Sequence, residues 1–239
     1  MKYSLIALFA SILIIGCSQK ESDKNLIITG NVKGLKKGTL YIQKIVDTSL
    51  VAIDTIKIDG DSHFTAALDI SSPEMYYLFL DRGVTNSLDN NLPFFAEAGK
   101  INIETSLEFF TSDSKVTGSK NQDRYDEFRK VNRRFTDQSL SLVEAKFRAF
   151  KSNNPKTIDS IEAVQDQITK RRYLYATNFA LNNKDLEIAP YIVLSEIPDI
   201  NLKYIDTIQK SISPKVAQSM YGKKLAAFYT ERKKQEAVK

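Results

Sequence analysis

Two side chains in this sequence are singular: Cys17 is its only thiol and His63 its only imidazole. A thiolate is a nucleophile and metal ligand, and an imidazole serves as general base, proton shuttle or ligand. With one of each, a CxxC redox pair and a multi-histidine metal site are excluded, and at most one Ser-His-Asp triad remains. His63 lies in Asp59-Gly60-Asp61-Ser62-His63-Phe64, whose neighbours supply a turn rather than a nucleophile, so a solvent-facing strand histidine is expected. Carboxylates such as Asp54, Asp81 and Glu97 offer another route. Hydrolysis by a carboxylate pair needs a defined short separation, which sequence does not set, and such residues in strands and turns are expected to be exposed or backbone-bonded. Asp59-Gly60-Asp61 opens like a calcium loop but lacks further oxygen ligands at regular spacing. No Gly-rich phosphate cradle follows any predicted strand. The expectation is therefore no catalytic residue, no metal site and no cofactor.

The setting of Cys17 is more telling. Lys2 precedes an apolar run from Tyr3 to Ile15, and Ile14-Ile15-Gly16-Cys17 closes it. A membrane-spanning helix needs ~20 apolar residues, more than this run offers. An ordinary secretory peptide ends in an A-x-A-like site, which is absent. The order fits a bacterial lipobox, in which the cysteine sulfur receives a diacylglyceryl group and the peptide bond before it is cut. Residues 1–16 are then a lipoprotein signal peptide, Cys17 the lipid attachment, and residues 17–25 a flexible tether with acidic Glu21 and Asp23 close behind the lipid. The expected location is the cell envelope, at the outer membrane, periplasmic or surface-facing. The membrane is a partner through that lipid, and a lipidated Cys17 leaves the folded part without a thiol.

Hydrophobic content of 42% and charged content of 26% are those of a globular protein, and 13 Phe and 11 Tyr with no Trp predict an aromatic-rich core. Charge is unevenly divided. Residues 17–118 carry 10 Lys+Arg against 14 Asp+Glu, and residues 119–239 carry 23 against 15. Such halves could dock on each other, or the basic half could present a face to an anionic partner or simply to solvent. Nucleic acid is not an expected partner of an exported lipoprotein.

The pattern that must position these residues changes once. Through residues 26–118, Leu40 and Ile42, and then Ile101 and Ile103, alternate with polar neighbours, the period of half-buried strands. Met75-Tyr76-Tyr77-Leu78-Phe79-Leu80 is apolar on both faces and predicts a central or doubly covered strand. Asp59-Gly60 between apolar runs predicts a hairpin. About eight short strands at this spacing predict an antiparallel β-sandwich or open barrel. The polar connection from Arg82 to Asn91 is the longest.

Residues 119–239 read as helical. Tyr125, Phe128, Asn132, Phe135, Leu142, Phe147 and Phe150 trace one interrupted stripe, and Ile158, Ile161, Val164, Ile168, Tyr175 and Phe179 a second, both expected to be core. Ser119 with Gln122 offers a capping box, and Asn154-Pro155 an N-cap with proline at the first helical position. Two long helices joined at Ser152–Pro155 predict an antiparallel hairpin, followed by shorter helices at Ile188–Ile197, Leu202–Ile212 and around Ser213-Pro214 and Gly222, then a charged tail. The fold class expected is α+β.

These motifs together resemble a known family. They are Thr29-Gly30-Asn31-Val32-Lys33-Gly34-Leu35, Gly38-Thr39-Leu40-Tyr41, Ile53-Asp54-Thr55-Ile56, Asp59-Gly60 with Phe64, Pro73-Glu74-Met75-Tyr76-Tyr77-Leu78, Phe94-Phe95-Ala96-Glu97-Ala98-Gly99 and Val116-Thr117-Gly118-Ser119. In order and spacing they resemble the domain of unknown function that precedes thioredoxin-like (AhpC/TSA-type) domains in lipoproteins of the Bacteroidota. Ala189-Pro190-Tyr191 and Tyr221-Gly222-Lys223-Lys224-Leu225 are similar to the linker into that partner domain. The sequence ends at Lys239 without the partner's CxxC, so its redox activity is not implied here.

The leading expectation is a lipid-anchored, non-catalytic binding or scaffolding module, its partner a cell-envelope protein or small-molecule ligand. The alternative is an accessory partner of a separately encoded thioredoxin-like thiol-disulfide oxidoreductase. A carboxylate hydrolase ranks below both.

Overall fold

The computed structural model describes residues 23–83 and 88–237, so Cys17 and the lipobox lie outside the described residues. Eight strands come first among these: β1 (Leu26–Lys33), β2 (Lys37–Val46), β3 (Ser49–Asp59), β4 (His63–Leu68), β5 (Glu74–Asp81), β6 (Asn91–Ala96), β7 (Gly99–Ser106) and β8 (Lys115–Thr117). They form two four-stranded sheets, ordered β4-β1-β7-β8 and β3-β2-β5-β6. Every pairing is antiparallel except that of β1 with β7. The sheets stack as a sandwich and do not close into a barrel.

The expected alternation builds the space between the sheets. Leu26, Ile28 and Val32 of β1, Leu40 and Ile42 of β2, Leu78 and Leu80 of β5, and Ile101 and Ile103 of β7 all point into one core. Gly30 shares that inward row because nothing larger fits. A β-carbon there would lie 2.3 Å from the Ile103 carbonyl oxygen and 2.5 Å from the Phe64 ring.

The Asp59-Gly60 hairpin expectation is corrected. β3 pairs with β2 in one sheet and β4 with β1 in the other, so the turn carries the chain between sheets. The Gly60 N–H donates to the Lys36 carbonyl (2.7 Å) and the Val32 N–H to the Ser62 carbonyl (3.1 Å), fixing this corner. The tight hairpin lies one turn earlier, at Asp47-Thr48 between the paired Val46 and Ser49, where Asp47 adopts φ +56°.

β5 is doubly covered, as its composition demands. Tyr76, Leu78 and Leu80 face the sandwich core, while Met75 and Tyr77 face a second core built from helices. The helices are α1 (Lys120–Lys151), α2 (Pro155–Asn182), α3 (Ile188–Glu196), α4 (Leu202–Ser211), α5 (Pro214–Gln218) and α6 (Met220–Ala237). The charged end expected as a tail continues α6. Gly118 turns the chain from β8 into α1 at φ +100°, and a β-carbon there would lie 2.0 Å from the Lys100 carbonyl oxygen. Ser119 caps α1 by accepting the Gln122 N–H (3.1 Å), and Asn154 caps α2 by accepting the Thr157 N–H (3.2 Å). The reciprocal half of the capping box does not form, because the Gln122 side-chain oxygen accepts instead from the Phe95 N–H (2.8 Å).

Candidate functional site

The side chains suited to chemistry do not converge. His63 is exposed, its Nδ1 2.7 Å from Asp61 Oδ1, and the His63 backbone N–H and ring together hold the Asp61 carboxyl below its usual value. Asp54 lies on edge strand β3 and receives the Thr55 N–H (2.7 Å). Asp81 ends β5 and receives the Gly83 N–H (2.8 Å). Glu97 follows β6, whose antiparallel register with β5 sets it at the opposite end of that strand pair from Asp81. No group of three or more His, Cys, Asp or Glu among the described residues could hold a metal ion.

Glu97 instead helps join the two halves. Its Oε2 accepts from the Ser119 hydroxyl (2.8 Å) and from the N–H and side-chain amide of Asn121 (both 3.3 Å). The fully buried Asn121 amide also donates to Glu187 Oε2 (3.1 Å), and its oxygen accepts the Ile188 N–H (2.8 Å) at the start of α3. Beside this network lies an aromatic cluster. The Phe95 ring meets Tyr191, Tyr125 and Tyr221 at 5.2, 6.1 and 6.2 Å, edge to face. The Met75 N–H donates to the Tyr221 hydroxyl (3.0 Å). Burial pushes the phenol pKa values of Tyr125, Tyr191 and Tyr221 above their usual value, because a phenolate loses its hydration there. Among the described residues no ion pair joins residues 26–118 to residues 119–237, so the halves dock by burial and hydrogen bonds rather than by opposite charge.

A cleft of about 610 Å³ opens between the 108–116 segment and the start of α1. Arg82, Arg129 and Arg133 line it together with Asp89, Glu108 and Asp126, so its charge is mixed. Arg82 is already committed to Asn90 Oδ1 (2.7 Å) and the Leu107 carbonyl (2.6 Å).

The strongest surface feature is the far half of the α1–α2 hairpin. At its base, Phe128 packs on Tyr175 and Phe179 at 5.5 and 5.2 Å, and Arg172 bridges Asn132 Oδ1 (2.9 Å) and Glu196 Oε2 (3.2 Å). Beyond that clamp, side-chain hydrogen bonds and ion pairs from Thr136 to Lys170 stay within the hairpin, such as Lys146 with Glu162 (2.6 Å). Ala149, Ile161 and Ile168 are buried along its inner seam, outside either main core. A second stripe on α1 faces outward: Leu140 (68% exposed), Val143 (54%), Phe147 (61%) and Phe150 (73%), with Val164 of α2 also exposed.

The expectation that Phe147, Phe150 and Val164 belong to the core is therefore corrected. Leu142 and Phe147 are five residues apart, which is about 140° around a helix rather than a shared face. The off-period step was the available signal. Leu140 and Val143 belong to the outward stripe and were absent from the expected set. A smaller exposed apolar group, Ile45, Val46, Leu50 and Val51, marks the end of the β2–β3 hairpin. No helix among the described residues is long and apolar enough to cross a membrane.

Comparison with known proteins adds a family-model match over part of the chain. No curated protein matches the chain. A solved transthyretin from Sparus aurata aligns with 13% identity over 40% of this chain and 97% of that one, at a TM-score of 0.28, a likeness too slight to bear on fold or function. Residues 26–125 match the family model described as a domain of unknown function, DUF4369. That match spans the sandwich and the start of α1, less than half of the chain.

Proposed function

We propose that this protein is a lipid-anchored, non-catalytic binding or scaffolding module of the cell envelope, at the outer membrane, whose contact surface is the projecting α1–α2 hairpin. The observation that carries this reading is the outward stripe of Leu140, Val143, Phe147 and Phe150 on a hairpin whose base is fully packed. Contiguous exposed apolar surface of this kind marks an interaction site on an otherwise polar protein. The lipobox at Ile14-Ile15-Gly16-Cys17 supports the anchor. The separate engagement of His63, Asp54, Asp81 and Glu97 supports a role without catalysis.

Two measurements test the reading. Mass spectrometry of the mature N-terminus should find acylated Cys17, and Cys17→Ser should release the protein from membranes. Crosslinking in intact cells should capture a protein through residues 140–150, and replacing the four stripe residues by serine should abolish that capture. A Cys17→Ser protein that stays membrane-bound, or capture that survives the serine replacements, contradicts the reading. The alternative is service to a separate thioredoxin-like protein, favoured by the lack of any cysteine beyond Cys17. It requires that the captured species carry a CxxC.

A further inference from the structure

The outward stripe has a spacing with a specific consequence. Leu140, Val143, Phe147 and Phe150 follow one another at three, four and three residues, which is the a-d-a-d order of a coiled-coil seam. One heptad earlier the same positions hold Arg133 and Thr136, and α1 ends at Lys151, so the apolar seam is confined to the part of the hairpin that leaves the body. Side chains at a and d positions are satisfied by insertion between the side chains of another helix. The inner seam through Ala149 already faces α2, so the partner helix for this second seam must come from elsewhere.

We propose that the occupant is a second copy of this chain, docked antiparallel so that two hairpins form a four-helix bundle. This deepens the proposed role by naming the partner of the hairpin, and it rests on the hairpin being the contact surface. Three features favour self-association. First, antiparallel alignment places Leu140 against Phe150 of the other copy and Val143 against Phe147, so a small residue meets a large one in all four layers. A parallel alignment would oppose Phe to Phe and Val to Val, leaving alternate crowding and voids, which packing disfavours. Second, the seam ends before the body begins, so antiparallel copies overlap at their tips and carry their sandwiches to opposite ends without collision. Third, at the exposures observed, four such side chains present about 500 Å² per copy, and a pair burying about 1,000 Å² reaches the lower bound for a specific interface. Two of the three cations flanking the stripe are engaged by carboxylates, and the third, Lys151, lies 4.6 Å over the Phe147 ring. Arg148 is paired to Glu144 and Lys146 to Glu162, both at 2.6 Å.

The test uses the full chain in its own membrane. A benzophenone-bearing phenylalanine analogue placed at Phe147 and activated by light should give an adduct of twice the chain mass, with the crosslink mapped to residues around Val143 of the second copy. The exposed site leaves folding undisturbed. Adding Phe150→Glu in the same chain should cut the adduct about tenfold or more, since a carboxylate would have to be buried, while Lys130→Glu, off the seam, should leave its yield unchanged. A crosslink mapping Phe147 to Phe147 overturns the antiparallel arrangement. Adducts only with a different protein overturn self-association but leave the scaffolding role standing. Adducts only with lipid, or none at all, overturn both.

Discussion

The two ends of the α1–α2 hairpin are built from the same aromatic and aliphatic residues, yet one is closed and the other open. At the base, Tyr125 is buried against Phe95 of β6 and Tyr191 of α3, and Phe128 against Tyr175 and Phe179 of α2, all within the core that lies on the outer face of the sheet. At the tip, Phe147 and Phe150 have only α2 beside them and line an open, solvent-exposed groove with its Gln165. The contrast teaches that helical amphipathicity specifies a stripe, while the sheet beneath decides whether that stripe is core or contact surface. Burial of a Phe contributes about 1.5–3 kcal/mol only where the surface is removed from water.

The comparison can be broken most forcefully at Phe95, the β6 residue on which Tyr125, Tyr191 and Tyr221 converge. Phe95→Ala should cost ~3–5 kcal/mol in chemical denaturation and should destabilise sandwich and helices together. Loss of helical signal alone, at an earlier midpoint, would show that the base is less closed than its packing implies. Asn121→Leu should cost about 2–3 kcal/mol, since it strands the Ile188 N–H and removes a donor from the buried Glu187 carboxylate.

Alkaline pH attacks the same joint in a graded way. The phenols of Tyr125, Tyr191 and Tyr221 are raised in the folded state above the unfolded value of about 10. The stability they contribute as neutral groups is therefore complete below pH ~10 and is lost as pH rises from there toward the folded values. Tyrosinate absorbance should appear together with unfolding rather than before it. At the tip the expected effect is small. Phe150→Ser should change the stability of the dilute chain by less than ~0.5 kcal/mol while weakening association. Smallest of all is the response to salt. Raising ionic strength from 0.1 to 1 M shortens the Debye length from ~10 to ~3 Å, yet the midpoint should scarcely move, because no ion pair among the described residues joins the halves.

Much of this architecture was legible in residue order, for physical reasons. Period-two alternation reports which residues face a sheet interior, so the strands and the double coverage of Met75–Leu80 could be read directly. Ser119 and Asn154-Pro155 announce helix starts because the orphan N–H groups there need an acceptor. Asp59-Gly60 misled because a tight turn specifies local reversal and is silent about which sheet receives the next strand. Gln122 misled because its side chain found a sheet N–H closer to hand than its own cap. The joint around Asn121 was illegible, since Glu97 and Glu187 lie 24 and 66 residues from it in the chain. The open stripe was missed because periodicity was followed through the five-residue step at Leu142.

Hydrogen exchange along α1, read at low and high protein concentration, tests the contrast most directly. Amides of residues 124–133 should exchange slowly at every concentration, held by the joint. Those of residues 140–150 should exchange quickly in dilute protein and slow markedly as concentration rises, when the seam is covered. Equal protection along the whole helix, unchanged by concentration, would contradict the division into a closed base and an open, self-associating tip.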